Sequence, residues 1–333
     1  MQKVVASVLA AVAFSVVSAS AADLKLKKAP VVVEAPNPWD LAFGSAIMSD
    51  YIFRGITQSN HKPSVAAYFE PRYNLNKDLQ LYAGISGESI SFPNRAAAEI
   101  DFYGGIRPTF GALALDIGFW YYYYPGGQCF HNLIQFGADC FANGALPVNF
   151  NVVKADVSFW EVYVKATYTM NDNWAFGLNF FHTPDFLHSG ADGQYLSGTA
   201  KFTFASGVLP WGMGGYISGE FGHQWLGTSD AFYCTQNAAG TACGGAFPGG
   251  IPYVDYNTWN VGIAFTKSVF TLDLRYSDTD LSKGDCNAFT SDFTASGFTD
   301  ITPINPGGAG SNWCGARFVA KLSADLTMGA NVK

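Results

Sequence analysis

Fifteen charged side chains in this chain fall in stretches where polar and apolar residues alternate, and within each stretch these keep to the polar parity. The set comprises Glu70, Arg72, Glu88, Glu99, Asp101, Arg107, Asp116, Glu161, Lys165, Lys201, Glu220, Asp273, Arg275, Arg317 and Lys321. Acids and bases strung along one face at a period of two do not by themselves pair a nucleophile with its base. They can line a polar lumen, where clusters of one sign concentrate counter-ions and set a preference between cations and anions. These residues are therefore expected to line a narrow pore, the alternative being that they pair across the lumen and plug it, with the long external loops folding in above. Glu88, Glu99 and Asp101 are expected near its external mouth on adjacent strands, with Arg275, Arg317 and Lys321 around the wall from them.

Other chemistry finds less support. His182, His188 and Ser189 are close in sequence, but no spacing ties a nucleophile to a general base, and rim polarity accounts for them. Asp278, Asp280 and Asp285 offer carboxylates, yet the EF-hand pattern is absent and solvated loop acids are the better account. The histidines are scattered and no C-x-x-C occurs, so neither a metal nor another cofactor is expected, and no catalytic residue is assigned. Six cysteines in an exported chain point to disulfides, although sequence alone leaves the pairing open. Cys129 and Cys140 share one long loop, Cys234 and Cys243 another, and Cys286 and Cys314 flank a third. Three local bridges, each stapling an external loop, are the economical expectation.

Side chains placed in this way need elements that hold a period of two across a membrane. From Trp39 onward that period dominates, with turn residues between segments of about ten residues or more, the pattern of barrel strands. Twelve strands are expected, near residues 39–53, 63–74, 78–90, 98–110, 112–124, 156–170, 173–184, 194–205, 212–226, 255–266, 269–279 and 315–326. A lipid-facing Arg or Lys at the midplane costs roughly 2–4 kcal/mol, and none is placed there. Glu70 and Arg72 share parity with Ser64, Ala66 and Tyr68, against Val65, Ala67, Phe69 and Tyr73. Glu161, Tyr163, Lys165 and Thr167 likewise oppose Val162, Val164, Ala166 and Tyr168. A soluble barrel would cover its polar face densely with Lys, Glu and Asp, whereas charged residues are only 14 % of this chain and aromatics reach 16 %. The fold class is thus an all-β, transmembrane, antiparallel up-and-down barrel.

Connection lengths agree. Short links at 75–77, Gly111, 171–172, 206–211 and 267–268 alternate with long ones at 125–155, 227–254 and 280–314, as periplasmic turns alternate with external loops. Trp39, Phe43, Tyr73, Trp174 and Phe270 would mark one membrane interface, and Tyr121, Tyr123, Trp160, Trp225 and Trp259 the other. Pro71 and Pro108 fall inside strands, near periplasmic ends where a missing ladder bond matters least. At the N-terminus, Lys3, the apolar run Val4 to Val17 and Ala19-Ser20-Ala21 read as a signal peptide over 1–21. Residues 22–38 read as a periplasmic linker, and 39–333 as the barrel. The net charge of −7, without clustered Lys and Arg, excludes nucleic acid as a partner.

Ser49-Asp50-Tyr51, Arg54-Gly55, Gln58 and Pro63 resemble the opening motif of the TorF-like porin family of bacterial outer-membrane proteins. Glu99-Ile100-Asp101 with Tyr103, Glu161-Val162-Tyr163 and Tyr276-Ser277-Asp278-Thr279-Asp280 extend the likeness from about Trp39 to Leu326. The resemblance implies an outer-membrane barrel classed as a porin without a defined substrate. The chain departs from that family in its long cysteine-bearing loops and in the tail Thr327 to Lys333. Together these readings lead to a bacterial outer-membrane channel, in contact with membrane lipid, for passive diffusion of small polar solutes or ions. The alternative is a structural or surface-interaction barrel built on its stapled external loops. An outer-membrane enzyme ranks third.

Overall fold

Backbone polar groups in lipid must all be paired, so strands can cross a bilayer only if they close on themselves. The computed structural model describes residues 38–131, 133, 136, 140, 149, 151–237 and 242–331. The expected signal peptide at 1–21, and the linker at 22–38 save Pro38, lie outside the described residues. The strands are β1 (Trp39–Met48), β2 (Ile52–Phe53), β3 (Ile56–Thr57), β4 (Ser64–Asn76), β5 (Leu79–Glu88), β6 (Glu99–Phe110) and β7 (Leu113–Tyr123). They continue as β8 (Phe159–Thr169), β9 (Trp174–Thr183), β10 (Gly193–Thr203), β11 (Gly214–Leu226), β12 (Tyr256–Lys267), β13 (Phe270–Thr279) and β14 (Arg317–Thr327). One helix, α1 (Lys283–Thr290), lies between β13 and β14.

Twelve of these strands form a closed antiparallel barrel in the order β1-β14-β13-β12-β11-β10-β9-β8-β7-β6-β5-β4, and β2 and β3 form a separate hairpin. The seam closes between β1 and β14, with Phe43 opposite Leu326 and Ile47 opposite Leu322. Parity sorts the faces as membrane physics requires. Val65, Phe69, Ile85, Phe102, Ile106, Phe119, Val164, Leu178, Phe221, Val261 and Leu274 are exposed on the outside, while Glu70, Arg72, Asp101, Arg107, Asp116, Glu161 and Lys165 are buried inside. Inward tyrosines lie flat against the wall over glycines: Gly84 faces Tyr103 and Gly118 faces Tyr163 across neighbouring strands. A Cβ on Gly84 would stand 2.3 Å from the Tyr103 ring, so only glycine admits this packing. The β4–β5 ladder lapses at Pro71 between Phe69↔Ile85 and Arg72↔Tyr82, and the β6–β7 ladder lapses at Pro108, in both cases without a register change.

One boundary differs from the sequence expectation. β1 stops at Met48 instead of running to residue 53, because its partner β4 begins only at Ser64, paired with Met48. Beyond that point the chain turns inward. The Asp50 carboxylate accepts from the Thr57 and Ser59 hydroxyls, and the segment folds back as the β2–β3 hairpin.

The long loops form a roof at the end of the barrel opposite Trp39 and Thr327. Disulfides join Cys129 to Cys140, Cys234 to Cys243 and Cys286 to Cys314. The loops also interlock with one another: Lys154 pairs with Asp230, His131 bonds the Phe232 carbonyl, and the Asn149 amide donates to the Asp292 and Ala295 carbonyls. Beneath them an apolar cluster of Phe92, Tyr122, Tyr124, Phe130, Val153 and Phe159 fills the external end.

Candidate functional site

The β2–β3 hairpin has a two-residue tip, Arg54-Gly55, with φ of 47° and 80°. Two central residues with positive φ match the twist of a tight hairpin. Gly55 is required there twice over, by its φ and because a Cβ would lie 2.3 Å from a Thr279 methyl. The tip carries the Arg54 guanidinium away from β1 to the opposite wall of the lumen. There it donates to Glu161 on β8 at 2.9 and 2.7 Å and to Gln224 on β11 at 3.0 Å. Its charge also lies over the rings of Phe53, Phe181 on β9 and Tyr195 on β10. β9 stands diametrically across the ring from β1, so the hairpin spans the barrel. Burial alone would weaken the charge on Arg54, but Glu161 more than offsets it and the guanidinium is held above its ordinary pKa.

At the hairpin's base, the Tyr51 hydroxyl donates to Glu99 on β6 at 2.6 Å. Burial, and then the charges of Glu99, Glu88 and Asp101, push that hydroxyl well above its usual range, so it stays a donor. Glu99 takes a second hydroxyl donor from Tyr124 at 2.9 Å, and Asp101 accepts from Ser86 at 2.9 Å.

A second charged layer lies closer to the short-turn end of the barrel. Arg107 on β6 donates to Glu70 at 2.8 Å and to Asp116 on β7 at 3.2 Å, and lies over the Tyr82 ring. Arg72 donates to Glu70 at 2.5 Å, and Lys165 stands opposite Asp116 in register. The remaining wall is less crowded. Arg275 bridges Asp273 at 2.9 Å, Asn260 and Ser218; Glu220 accepts from Tyr195 and Asn260; and the Lys201 ammonium lies over the Tyr216 ring. Lys321 on β14 is opposite Asp273, and Arg317 lies at the rim against the His61 ring.

The expected wall charges share the barrel interior, where Glu70, Arg72, Arg107 and Asp116 pair along one stretch of wall and Asp273 pairs with Arg275 on another. Glu88, Glu99 and Asp101 are not at an open mouth: they are 6 %, 2 % and 3 % exposed, sealed beneath the hairpin. The sequence assigns no role to Tyr82 or Gln224, and it offers Tyr51 and Arg54 only as motif residues, with residue 54 just beyond a strand in an external connection. The usable signal was the Arg54-Gly55 pair within the family-like motif at 49–63. The histidines and Ser189 are held locally, for the Ser189 hydroxyl donates to the Phe186 carbonyl at 2.6 Å and His188 lies beside Asp185. The loop acids are also engaged locally. Asp280 holds Asn257, Asp278 accepts from Tyr276, and Asp285 accepts from Ser282 at the start of α1.

A family model described as "Bacterial protein of unknown function (Gcw_chp)" matches residues 33–224. No curated protein matches. Among solved structures, the NanC porin shares 8 % identity at a TM-score of 0.42, covering 86 % of this chain and 100 % of that one. An outer-membrane channel from Pseudomonas putida F1 shares 14 % identity at a TM-score of 0.40, covering 90 % and 100 %. Pseudomonas putida OprB at high pH shares 13 % at 0.36, covering 87 % and 93 %. Likenesses this distant carry no functional assignment. The family match spans more than half of the 333 residues, and the chain, a closed antiparallel β-barrel, belongs to the Gcw_chp family of bacterial proteins of unknown function.

Proposed function

We propose that this barrel is a porin-like channel for small polar solutes or ions whose external half is closed by the β2–β3 hairpin, so that passage requires the hairpin to leave the lumen. One observation carries this reading: the two-pronged bond from Arg54 to Glu161, which ties a hairpin rooted on β1 to the far wall. A single ion pair at the tip of a short hairpin is a releasable closure, unlike a covalently fixed plug. The polar, Gly- and Tyr-rich interior supports solute passage once the closure is released. The resemblance of residues 49–63 to the opening motif of TorF-like porins supports the same reading, since those residues build the hairpin. Arg107, Glu70 and Asp116 form the constriction that a solute would meet next.

The test is conductance across planar bilayers for the refolded chain and for a variant with residues 52–57 replaced by a short Gly-Ser link. Rare openings in the wild type and persistent current in the variant are expected. A second reading, a surface-interaction barrel, is favoured by the interlocking of the stapled loops into one roof. It becomes the better one if neither protein conducts.

A further inference from the structure

The interior contains three buried carboxylates without the arginine partners found elsewhere in the lumen. Glu70, Asp116 and Glu161 each bond an arginine, whereas among the described residues Glu88, Glu99 and Asp101 make no ion pair. Glu88 and Glu99 are also direct cross-strand partners, a like-charge pairing that weakens a sheet when left uncompensated. An oxygen of each of the three carboxylates lies within 4.8 Å of an oxygen of the other two. A separate observation points to a missing partner. Glu88 Oε2 is sealed from solvent with no donor at hydrogen-bonding geometry, and Asp101 Oδ1 is sealed with only the Trp120 indole N–H near it, outside that geometry, although both residues are more than nine-tenths buried. An orphaned buried acceptor costs about 1–3 kcal/mol, and more where it is charged.

We propose that Glu88, Glu99 and Asp101 form a binding site for one hard divalent cation, calcium in preference to magnesium. The charge of Lys321 reaches Glu88 from β14. One positive charge against three carboxylates leaves a deficit that a divalent ion neutralises. The donors are all oxygen, the set that suits calcium and magnesium over softer metals. Calcium–oxygen distances of about 2.3–2.6 Å span oxygens up to about 5 Å apart, while magnesium at about 2.0–2.1 Å requires a tighter octahedron. The carboxylates are already oriented, since Tyr51 and Tyr124 hold Glu99 and Ser86 holds Asp101. Because Tyr51 roots the hairpin, the ion would also brace the hairpin's base against β5 and β6. Binding at this site is independent of whether the barrel conducts.

The test uses the full folded chain in detergent, stripped with EDTA, with folding of every variant verified by heat-modifiable gel migration. Calorimetric titration with calcium should show one site per chain, with weaker uptake of magnesium. Glu88→Gln and Asp101→Asn should each weaken calcium binding by about tenfold or more, while Asp280→Asn, in an external loop, should leave it unchanged. Terbium provides a readout on the wild type alone, because an ion held beside Tyr51 and Tyr124 is excited through their rings and displaced by calcium. Absence of sensitised terbium emission and of calcium uptake in the folded wild type would overturn the proposal. Uptake unaltered in both amide variants would do so too. If protons occupy the triad instead, calcium will not raise the unfolding temperature of the wild type, and the proposal fails.

Discussion

Arg54→Met should open the external closure, and the size of the effect follows from the bond it removes. The guanidinium and the Glu161 carboxylate are 5 % and 1 % exposed as side chains, and two hydrogen bonds of 2.7 and 2.9 Å join them. Met keeps most of the stem's bulk but leaves Glu161 charged in a sealed lumen, with the Tyr122 hydroxyl at 3.1 Å as its remaining described donor. Stranding one member of a buried pair costs about 3–5 kcal/mol. Moving the hairpin aside hydrates Glu161, so most of that cost falls on the closed state. At about 1.4 kcal/mol per factor of ten, the closed-to-open ratio should drop between a hundredfold and a few thousandfold. Glu161→Gln should shift it less, because the amide oxygen still accepts from Arg54. The double variant Arg54→Met/Glu161→Leu should recover closure, since replacing both partners of a buried pair with apolar groups is often neutral or stabilising. Single-channel recording reads the open probability of all four proteins. An Arg54→Met barrel that is folded yet no more open than the wild type would refute the lock, and a double variant as open as Arg54→Met alone would refute the pairing argument.

Three further outcomes follow. Burial holds the His131 imidazole below its ordinary pKa, in a neutral form that donates from Nε2 to the Phe232 carbonyl and accepts at Nδ1 from the Leu133 amide. A roof opened at that contact binds the proton more readily, so the contact is intact above about pH 6.5 and is lost as pH falls; amide exchange in residues 151–158 should speed up on acidification, and His131→Gln should flatten that dependence. Gly84→Val forces a side chain into the Tyr103 ring and should destabilise the barrel by about 1–3 kcal/mol, read as a lower temperature of gel-shift unfolding, with Tyr103→Ala restoring tolerance. Replacing Cys286 and Cys314 with serine removes the bridge over 28 residues of sequence and should cost about 2–4 kcal/mol, mostly as protease sensitivity around α1 with the strands intact.

The strands were legible because lipid imposes a strict rule. A charge on the wrong parity is so costly that the face of Glu70, Asp101 or Lys165 could be read without any structure, and the turns at Gly111 and 171–172 then fixed the order. The cysteine pairs were legible because each pair lies within one connection, so chain proximity decides. What residues 49–63 do could not be read in the same way. Ile52 and Phe53 continue the alternation of β1, and only the late start of β4 at Ser64 leaves them without a wall to join. Arg54 meets Glu161 across 107 residues of sequence and Gln224 across 170, separations that no local period encodes. Which wall charges pair with which was not legible for a related reason. Parity tells which side chains enter the lumen, but not how far each reaches within it, and the interior is narrow enough for Arg107 to bond both Glu70 and Asp116.

Two features run against local preference. A tight turn with positive φ at both central positions favours Asn or Asp before glycine, yet the position is held by Arg54 at φ 47°. A cross-strand pair favours opposite charges, yet Glu88 faces Glu99. Sequences tolerate such conflicts where another requirement prevails, and those places tend to be functional. Both lie in the external layer, and both are tied to one segment, since Arg54 is the hairpin's tip and Tyr51, which bonds Glu99, is its base. The layer nearer the short turns shows no such conflict, for Glu70 and Asp116 each have an arginine or lysine beside them. Local stability was therefore sacrificed where the hairpin meets the wall and retained where the wall meets itself, which is the asymmetry expected of a movable closure set above a fixed constriction.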